Sequence, residues 1–290
     1  MLMSTLVAGL VLGGTYALVA MGLTIQYGIA RTMNLAYGEV TIAGAFAAYL
    51  IYNVLGVSPI LGLTIIAPIG FAFGWIVYGL LLRPLVARSK NTAALEINSI
   101  LATFGLLFVV QGVMLVIFGG NYTSYNFMNY GVDVLGTRVA ANRLLALFLA
   151  VTVGGGLYLV LTRTRWGTAL RAVAVNPAAA PLVGIDANRA ARFAFALGGG
   201  LAASGGVAIS MYQTFTASSG VEFTMKALIV VIMGGVGNLA GAILAGLLLG
   251  LAETFVATYI SPGLTIASVY LIFLAVLLWR PQGLFGKVSR

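Results

Sequence analysis

The sequence predicts an all-α, polytopic membrane helix bundle, and three observations carry that class. Of the 290 residues, 61% are hydrophobic and only 7% charged, whereas a soluble domain carries about a quarter charged residues. The apolar residues come in runs of roughly 20, the length that crosses a hydrocarbon core as a helix. The basic residues fall in the gaps between those runs, mostly in alternate gaps. The whole chain, 1–290, therefore reads as a single transmembrane domain of about eight spans plus broken or re-entrant segments.

Taken in order, spans are expected at 5–25, 40–55, 60–82, 97–118, 144–161, 193–215 and 264–279. The N-terminus, MLMSTLVAGL, lacks the basic start of a secretory signal, so the first run is expected to be a retained span. The stretch 225–256 is too long for one ordinary span and is broken by GGVGN, from Gly234 to Asn238. It reads as a short descending segment, a turn and a full ascending helix, the kind of break that brings irregular backbone to a protein-lined cavity. Parity requires this reading. With it, twelve basic residues share one side: Arg31; Arg83, Arg88 and Lys90; Arg163, Arg165, Arg171, Arg189 and Arg192; Arg280, Lys287 and Arg290. Only Arg138, Arg143 and Lys226 fall on the other. The positive-inside rule then places the first side in the cytoplasm, the N-terminus outside and the C-terminus inside.

Two connections stand out. The longer polar one, 163–192, holds five arginines and one acid. Within it, Asn176 and Pro177 suit the cap and first position of a helix, and Gly184 suits its stop. A helix of about two turns between them is too short to stand alone. Pro181 would lie inside it and bend it. Asp186 reads as the N-cap of the next span. From residues alone this is either a solvated loop or a docking element. The connection 119–143 carries NYTSYNFMNY and the acid Asp133. It fits an interfacial aromatic loop or a landing surface for an external protein.

Polar groups near spans are few. Asn34 and Glu39 lie in TMNLAYGE, where the second span opens. A carboxylate there is costly and is kept for function or capping. Either Asn34 caps the helix and Glu39 pairs with Arg31, or both line a pathway. Gly234, Gly235 and Gly237 permit a tight turn, and Asn238 can satisfy its free backbone groups. Beyond them, Gly237, Gly241, Ala245, Gly246 and Gly250 place small residues on helical faces for close packing in lipid. Lys226 and Glu253 flank this run, either as helix caps or as a gate. The Asn-Leu-Ala starts at Asn34 and Asn238 raise a possible inverted repeat.

Absences narrow the chemistry. With no cysteine or histidine there is no disulfide, thiol nucleophile, imidazole base or usual zinc site. The net charge of +9 sits between apolar spans, which argues against nucleic acid as a partner. No GxxxxGK[ST] phosphate loop occurs, so energy for transport comes from a partner or an ion gradient. Acid–base groups are too few and scattered for a membrane enzyme.

Four stretches together resemble the permease subunits of ATP-binding-cassette importers of branched-chain amino acids. They are RAVAVNPAAAPLVGIDANR (171–189), TMNLAYGE (32–39), MKALIVVIMGGVGNLAGAILAGLLLGLAE (225–253) and WRPQGLFGK (279–287). The resemblance implies that Arg171, Asn176, Pro177, Ala178, Leu182, Gly184, Ile185 and Asp186 couple to an ATPase. It also implies that Asn34, Gly38, Glu39, Gly234, Gly235, Gly237 and Asn238 lie along the translocation pathway. The chain departs from the family in having only Asn176 at the usually acid- or amide-rich start, and in Pro181. The implied partners are two cytoplasmic ATPase subunits, a second permease chain (identical or related), an extracytoplasmic substrate-binding protein and membrane lipid. ATP and magnesium would sit on the partners, with no cofactor in this chain, and the location would be a bacterial inner membrane. An ion-coupled carrier, or an importer of urea or short amides, is the alternative.

Overall fold

A computed structural model describes residues 2–89, 91–134 and 136–286. Lys90, Lys287 and Arg290, counted above on the basic side, lie outside the described residues. The helices are α1 (Leu2–Ala30), α2 (Tyr37–Leu55), α3 (Pro59–Val77), α4 (Arg83–Arg88), α5 (Thr92–Phe118), α6 (Ala141–Arg163), α7 (Arg165–Val175), α8 (Ala187–Ser210), α9 (Gly220–Gly234), α10 (Leu239–Tyr259) and α11 (Thr265–Trp279). A small hairpin pairs β1 (Gly131–Val134) with β2 (Thr137–Ala140). Among the described residues, eight helical stretches are long and apolar enough to cross a membrane. This is the predicted polytopic helical bundle.

Between α3 and α4 the chain takes a wide turn over Tyr78–Leu82, where Arg83 N–H reaches back five residues to the Tyr78 carbonyl. Pro84 follows, and a proline ring collides with the carbonyl four residues earlier in a regular helix. The wide turn lets the helix continue.

Composition decides which helices are central. Of α8's apolar stretch 83% is buried, against 6% for α11. The sequence of α8 is rich in glycine, alanine and serine, so neighbouring backbones approach it directly. Gly206 meets the Thr41 carbonyl, Gly199 meets Gly70, and Gly198 meets the Gln26 side chain, with no room for a Cβ. A second seam joins α1 to α10. Gly9 lies on Leu251, Gly13 on Leu247 and Gly250, and Gly246 on Ala17. Their numbers run in opposite directions, so the two helices are antiparallel. In lipid, where apolar side chains gain little by meeting one another, such close backbone approach is what holds helices together.

The stretch 225–256 resolves into α9 and α10, the descending and ascending segments expected, with α9 starting at Gly220. At 15 residues α9 is about 22 Å long, short of a full span. The turn after it packs on Gly28 near the end of α1 and on Gly286 beyond α11. Both Asn-Leu-Ala starts therefore open helices from the α1 C-terminal half of the bundle, and this pair gives no inverted repeat.

Candidate functional site

The first polar junction begins where α1 ends. Arg31 takes a positive φ of 52°, and residues 31–36 leave the helix to climb along α5. Met33 N–H donates to Ser99 Oγ at 3.1 Å and Leu35 N–H to Thr103 Oγ1 at 3.0 Å. Such hydroxyls replace the helix bonds that this stretch gives up inside the bundle. Asn34 donates to Gln26 Oε1 (3.1 Å) and accepts from Ala36 N–H (3.1 Å). It is an Asx turn ahead of α2, not the expected helix cap: Ala36 holds the cap position without a side-chain bond.

Glu39 is fully buried in the first turn of α2. Neither carboxylate oxygen has a hydrogen-bond partner among the described residues. The pairing with Arg31 weighed from sequence is not made, because Arg31 is exposed and donates instead to the Ala174 carbonyl. The Glu39 carboxylate lies against Gly220, the first residue of α9, where a Cβ would collide with it. Next to it Thr224 Oγ1 accepts from Gly38 N–H (2.8 Å) and is within 3.1 Å of the Leu35 and Gly220 carbonyls. Two helix N-termini, those of α2 and α9, thus converge on one unpaired carboxylate. Each brings a partial positive charge, which favours an anion.

The second junction solves the same problem differently. Lys226 Nζ lies 2.9 Å from Glu253 Oε1 and 3.0 Å from Glu222 Oε1. It also donates to Tyr16 Oη at 2.7 Å, and Tyr16 in turn donates to Glu253 Oε2 at 3.0 Å. The Lys226 and Glu253 side chains are 11% and 13% exposed. They cap no helix end: they tie α9, α10 and α1 together in mid-helix.

Gly234, Gly235, Gly237 and Asn238 sit at the opposite end of α9 from Glu39, so the structure does not bring the two sets of predicted pathway residues together. Gly234 packs on Gly241, and Gly235 (φ 97°) on Gly286. Asn238 accepts from Gly241 N–H and donates to the Phe285 carbonyl. The geometry here is a close-packed corner.

In the loop 163–192, sequence reading missed α7, whose Gly167, Leu170 and Val173 are buried at three-residue spacing. Arg171 folds back on it, donating to the Gly167 and Thr162 carbonyls. Asn176 Oδ1 accepts from Ala178 and Ala179 N–H, both at 3.1 Å, an Asx turn and not the expected helix cap, because the cap position falls at Ala179, which makes no side-chain bond. The two-turn helix is instead a single tight turn, Ala180–Val183, with Pro181 in its first turn, where a missing N–H costs nothing. The bend expected at Pro181 is therefore absent. Gly184 stops the turn in the left-handed conformation (φ 76°), and Asp186 caps α8 by accepting from Asn188 and Arg189 N–H. Pro177 and Ala178 are exposed, and Ile185 is half-buried. Leu182 and Val183 project at 87% and 71% exposure, an apolar tip on a basic surface.

The connection 119–143 also folded more than expected. Residues from 124–129, 140–143 and 210–214 line a polar pocket of about 270 Å³ with Asn129, Asn142 and Arg143 in its wall. Asn142 donates to the Met211 carbonyl, while its Oδ1 has no partner among the described residues. Burial pushes the Tyr125 phenol up to about 12, so it stays neutral and shares a 2.8 Å hydrogen bond with Ser210.

Comparison with known proteins places this architecture. A family model described as branched-chain amino acid transport system / permease component matches residues 5–279. The high-affinity branched-chain amino acid transport system permease protein BraD of Pseudomonas aeruginosa is 30% identical over 297 residues, covering 97% of this chain and 95% of its own length. A probable branched-chain amino acid transport permease protein, LivH of Methanocaldococcus jannaschii, is 28% identical over 279 residues, covering 93% and 88%. Among solved structures, PsaBC from Streptococcus pneumoniae in complex with Fab is a distant likeness, with a TM-score of 0.46 and 14% identity over 98% of this chain and 93% of that one.

Proposed function

This chain belongs to the branched-chain amino acid transport system permease-component family, and on that premise we propose that it is the membrane-spanning subunit of an ATP-driven importer of branched-chain amino acids. The observation that carries the reading is the family match across residues 5–279. The chain is a multi-pass transport subunit, not an enzyme. The reading places it in a bacterial inner membrane with the N-terminus outside and the arginine-rich end in the cytoplasm. It works there with two ATPase subunits, a second permease chain and an external binding protein. ATP and its magnesium belong to the ATPase subunits.

The coupling element in this reading is 176–186. The apolar tip of Leu182 and Val183 enters an ATPase groove, and Asn176, Gly184 and Asp186 fix the tip to α7 and α8. Asp186 caps α8 directly, and α8 is the central helix of the bundle. A push on the tip therefore reaches the core without a slack linker. The switch between inward- and outward-facing states is a rigid-body motion of this core. Glu39, with Asn34 and Gly38 beside it, is the pathway group, because its buried carboxyl has both oxygens without a partner among the described residues.

Co-purification with the ATPase subunits, followed by ATPase assay with leucine and the binding protein, tests this. Stimulated ATPase activity, lost in Leu182→Asp/Val183→Asp while the chain stays folded, is the expected result. Leucine uptake into vesicles driven by an ion gradient, with no ATPase subunit present, would overturn it in favour of a secondary carrier.

A further inference from the structure

Between the last turns of α3, the start of α7 and the start of α8 lies a groove of about 720 Å³. Its cationic wall is Arg165, Arg189 and Arg192, with Asp186 the one acid, and its aromatic wall is Trp75, Trp166 and Phe193. Arg192 is fixed: its guanidinium lies 4.2 Å from the Trp75 ring centroid, and its Nε donates to the Trp75 carbonyl at 3.2 Å. Arg189 is in an exposed pair with Asp186 at 3.2 Å, a contact of little worth in water. Arg165 has neither a hydrogen bond nor an ion pair among the described residues. One acid against three guanidiniums leaves the groove positive.

The aromatic side is continuous. Phe71 lies 6.2 Å from Trp75 and 5.5 Å from Phe193, and Phe193 lies 5.6 Å from Trp166. Trp75 and Phe193 belong to membrane-length helices, whereas Arg165 and Trp166 begin the helix just outside one. Arg189 and Arg192 open the same span as Phe193, so the depression lies where spanning helices end, with cations and rings side by side in its wall. Tryptophan favours headgroup depth, and basic pockets between spanning helices bind anionic head groups.

We propose that this groove is a binding site for one anionic phospholipid. Arg165 and Arg189 receive the phosphodiester, the Trp75–Arg192 stack supplies a third, preorganised charge, and the acyl chain lies on Phe71 and Phe193. Guanidinium groups suit phosphate because their paired N–H donors match its oxygens. Gly184, Ile185 and Asp186 also line the groove, so an occupying lipid touches the segment that holds the Leu182–Val183 tip. The site itself does not depend on the transport reading.

The test uses the full chain with Trp279→Phe, which leaves Trp75 and Trp166 as its fluorophores. It is reconstituted in phosphatidylcholine vesicles containing a minority of phosphatidylglycerol with brominated acyl chains. Bromine quenches a tryptophan only on contact. The expected result is quenching above that of brominated phosphatidylcholine at the same fraction, with apparent affinity falling about fivefold for each arginine removed in Arg165→Gln and Arg189→Gln. Both side chains are exposed, so the variants fold, and Arg138→Gln in the hairpin should change nothing. Equal quenching by the two lipids overturns the proposal. So does displacement by millimolar inorganic phosphate, which would make this a free-anion site. Abolition of the quenching by bound ATPase subunits would also overturn it, assigning the groove to a protein interface.

Discussion

Glu39 and Glu253, two of the carboxylates on the bundle's helices, are treated in opposite ways. Glu253 is met by Lys226 and Tyr16, so each of its oxygens has a donor within about 3 Å. Glu39, buried more completely, has no donor among the described residues and lies against a bare glycine where two helices begin. Burying a charge is tolerated when it is paired and hydrogen-bonded, and is expensive otherwise. Glu253 therefore belongs to the structure: its partners are built in. Glu39 is kept at a cost to the fold, which is what the proposed pathway role would explain.

That contrast can be broken at either carboxylate. The largest effect is expected from Lys226→Met, which strands Glu253 inside the bundle and should cost about 3–5 kcal/mol. Thermal unfolding in detergent would show it, and Lys226→Met/Glu253→Gln should recover most of the loss. If the double variant is no better than the single one, the ion pair is not what holds the two helices. Next comes Gly220→Ala, whose new Cβ would meet the Glu39 carboxylate. Overpacking of this kind costs about 1–3 kcal/mol, and shortening Glu39 to alanine in the same chain should relieve it. Glu39→Gln sharpens the comparison further. It replaces an unpaired buried carboxyl by an uncharged amide of the same size, so unfolding should move by less than about 1 kcal/mol, or toward greater stability. Transport should nevertheless fall at least about tenfold; unchanged uptake would remove Glu39 from the pathway. The smallest effect is expected from Asp133→Asn in the hairpin. Its pair with Arg138 is 3.6 Å long and exposed, and exposed pairs contribute about 0–1 kcal/mol.

The spans were legible in the sequence because membrane helices are written as length and hydropathy alone. The ends of α8 were less so: its first turns hold Arg189 and Arg192, which read as loop, yet Asp186 had already marked the true start. The helix α7 left a fainter signal, three buried positions at three-residue spacing within a basic stretch. The hairpin left one too, the alternation of GVDV and TRVA around a glycine at 136. At the segment 176–184, Gly184 gave the stop correctly, whereas the start lies at Ala180 and not just after Asn176, because the Asn176 side chain closes a separate turn first. Glu39 was legible as an anomaly but not in its surroundings. Eight positions from Arg31, it looked like a local partner; the non-helical backbone of 31–36 carries it away, and the residue that meets it, Gly220, is remote in sequence. Contact of that kind is a property of the fold.

The glycine seams have one more consequence. Where the α1 and α10 backbones touch at Gly13 and Gly250, and α8 touches α2 at Gly206, there is no layer of side chains to act as a bearing. Sliding or rolling at such a contact would drive main-chain atoms into one another. Interiors packed this closely transmit displacement instead of absorbing it. The four helices must travel as one chassis, and the compliance of the proposed cycle is left to the non-helical link at 211–219. A cross-link placed across a seam should leave turnover intact, while one that staples this link should stop it.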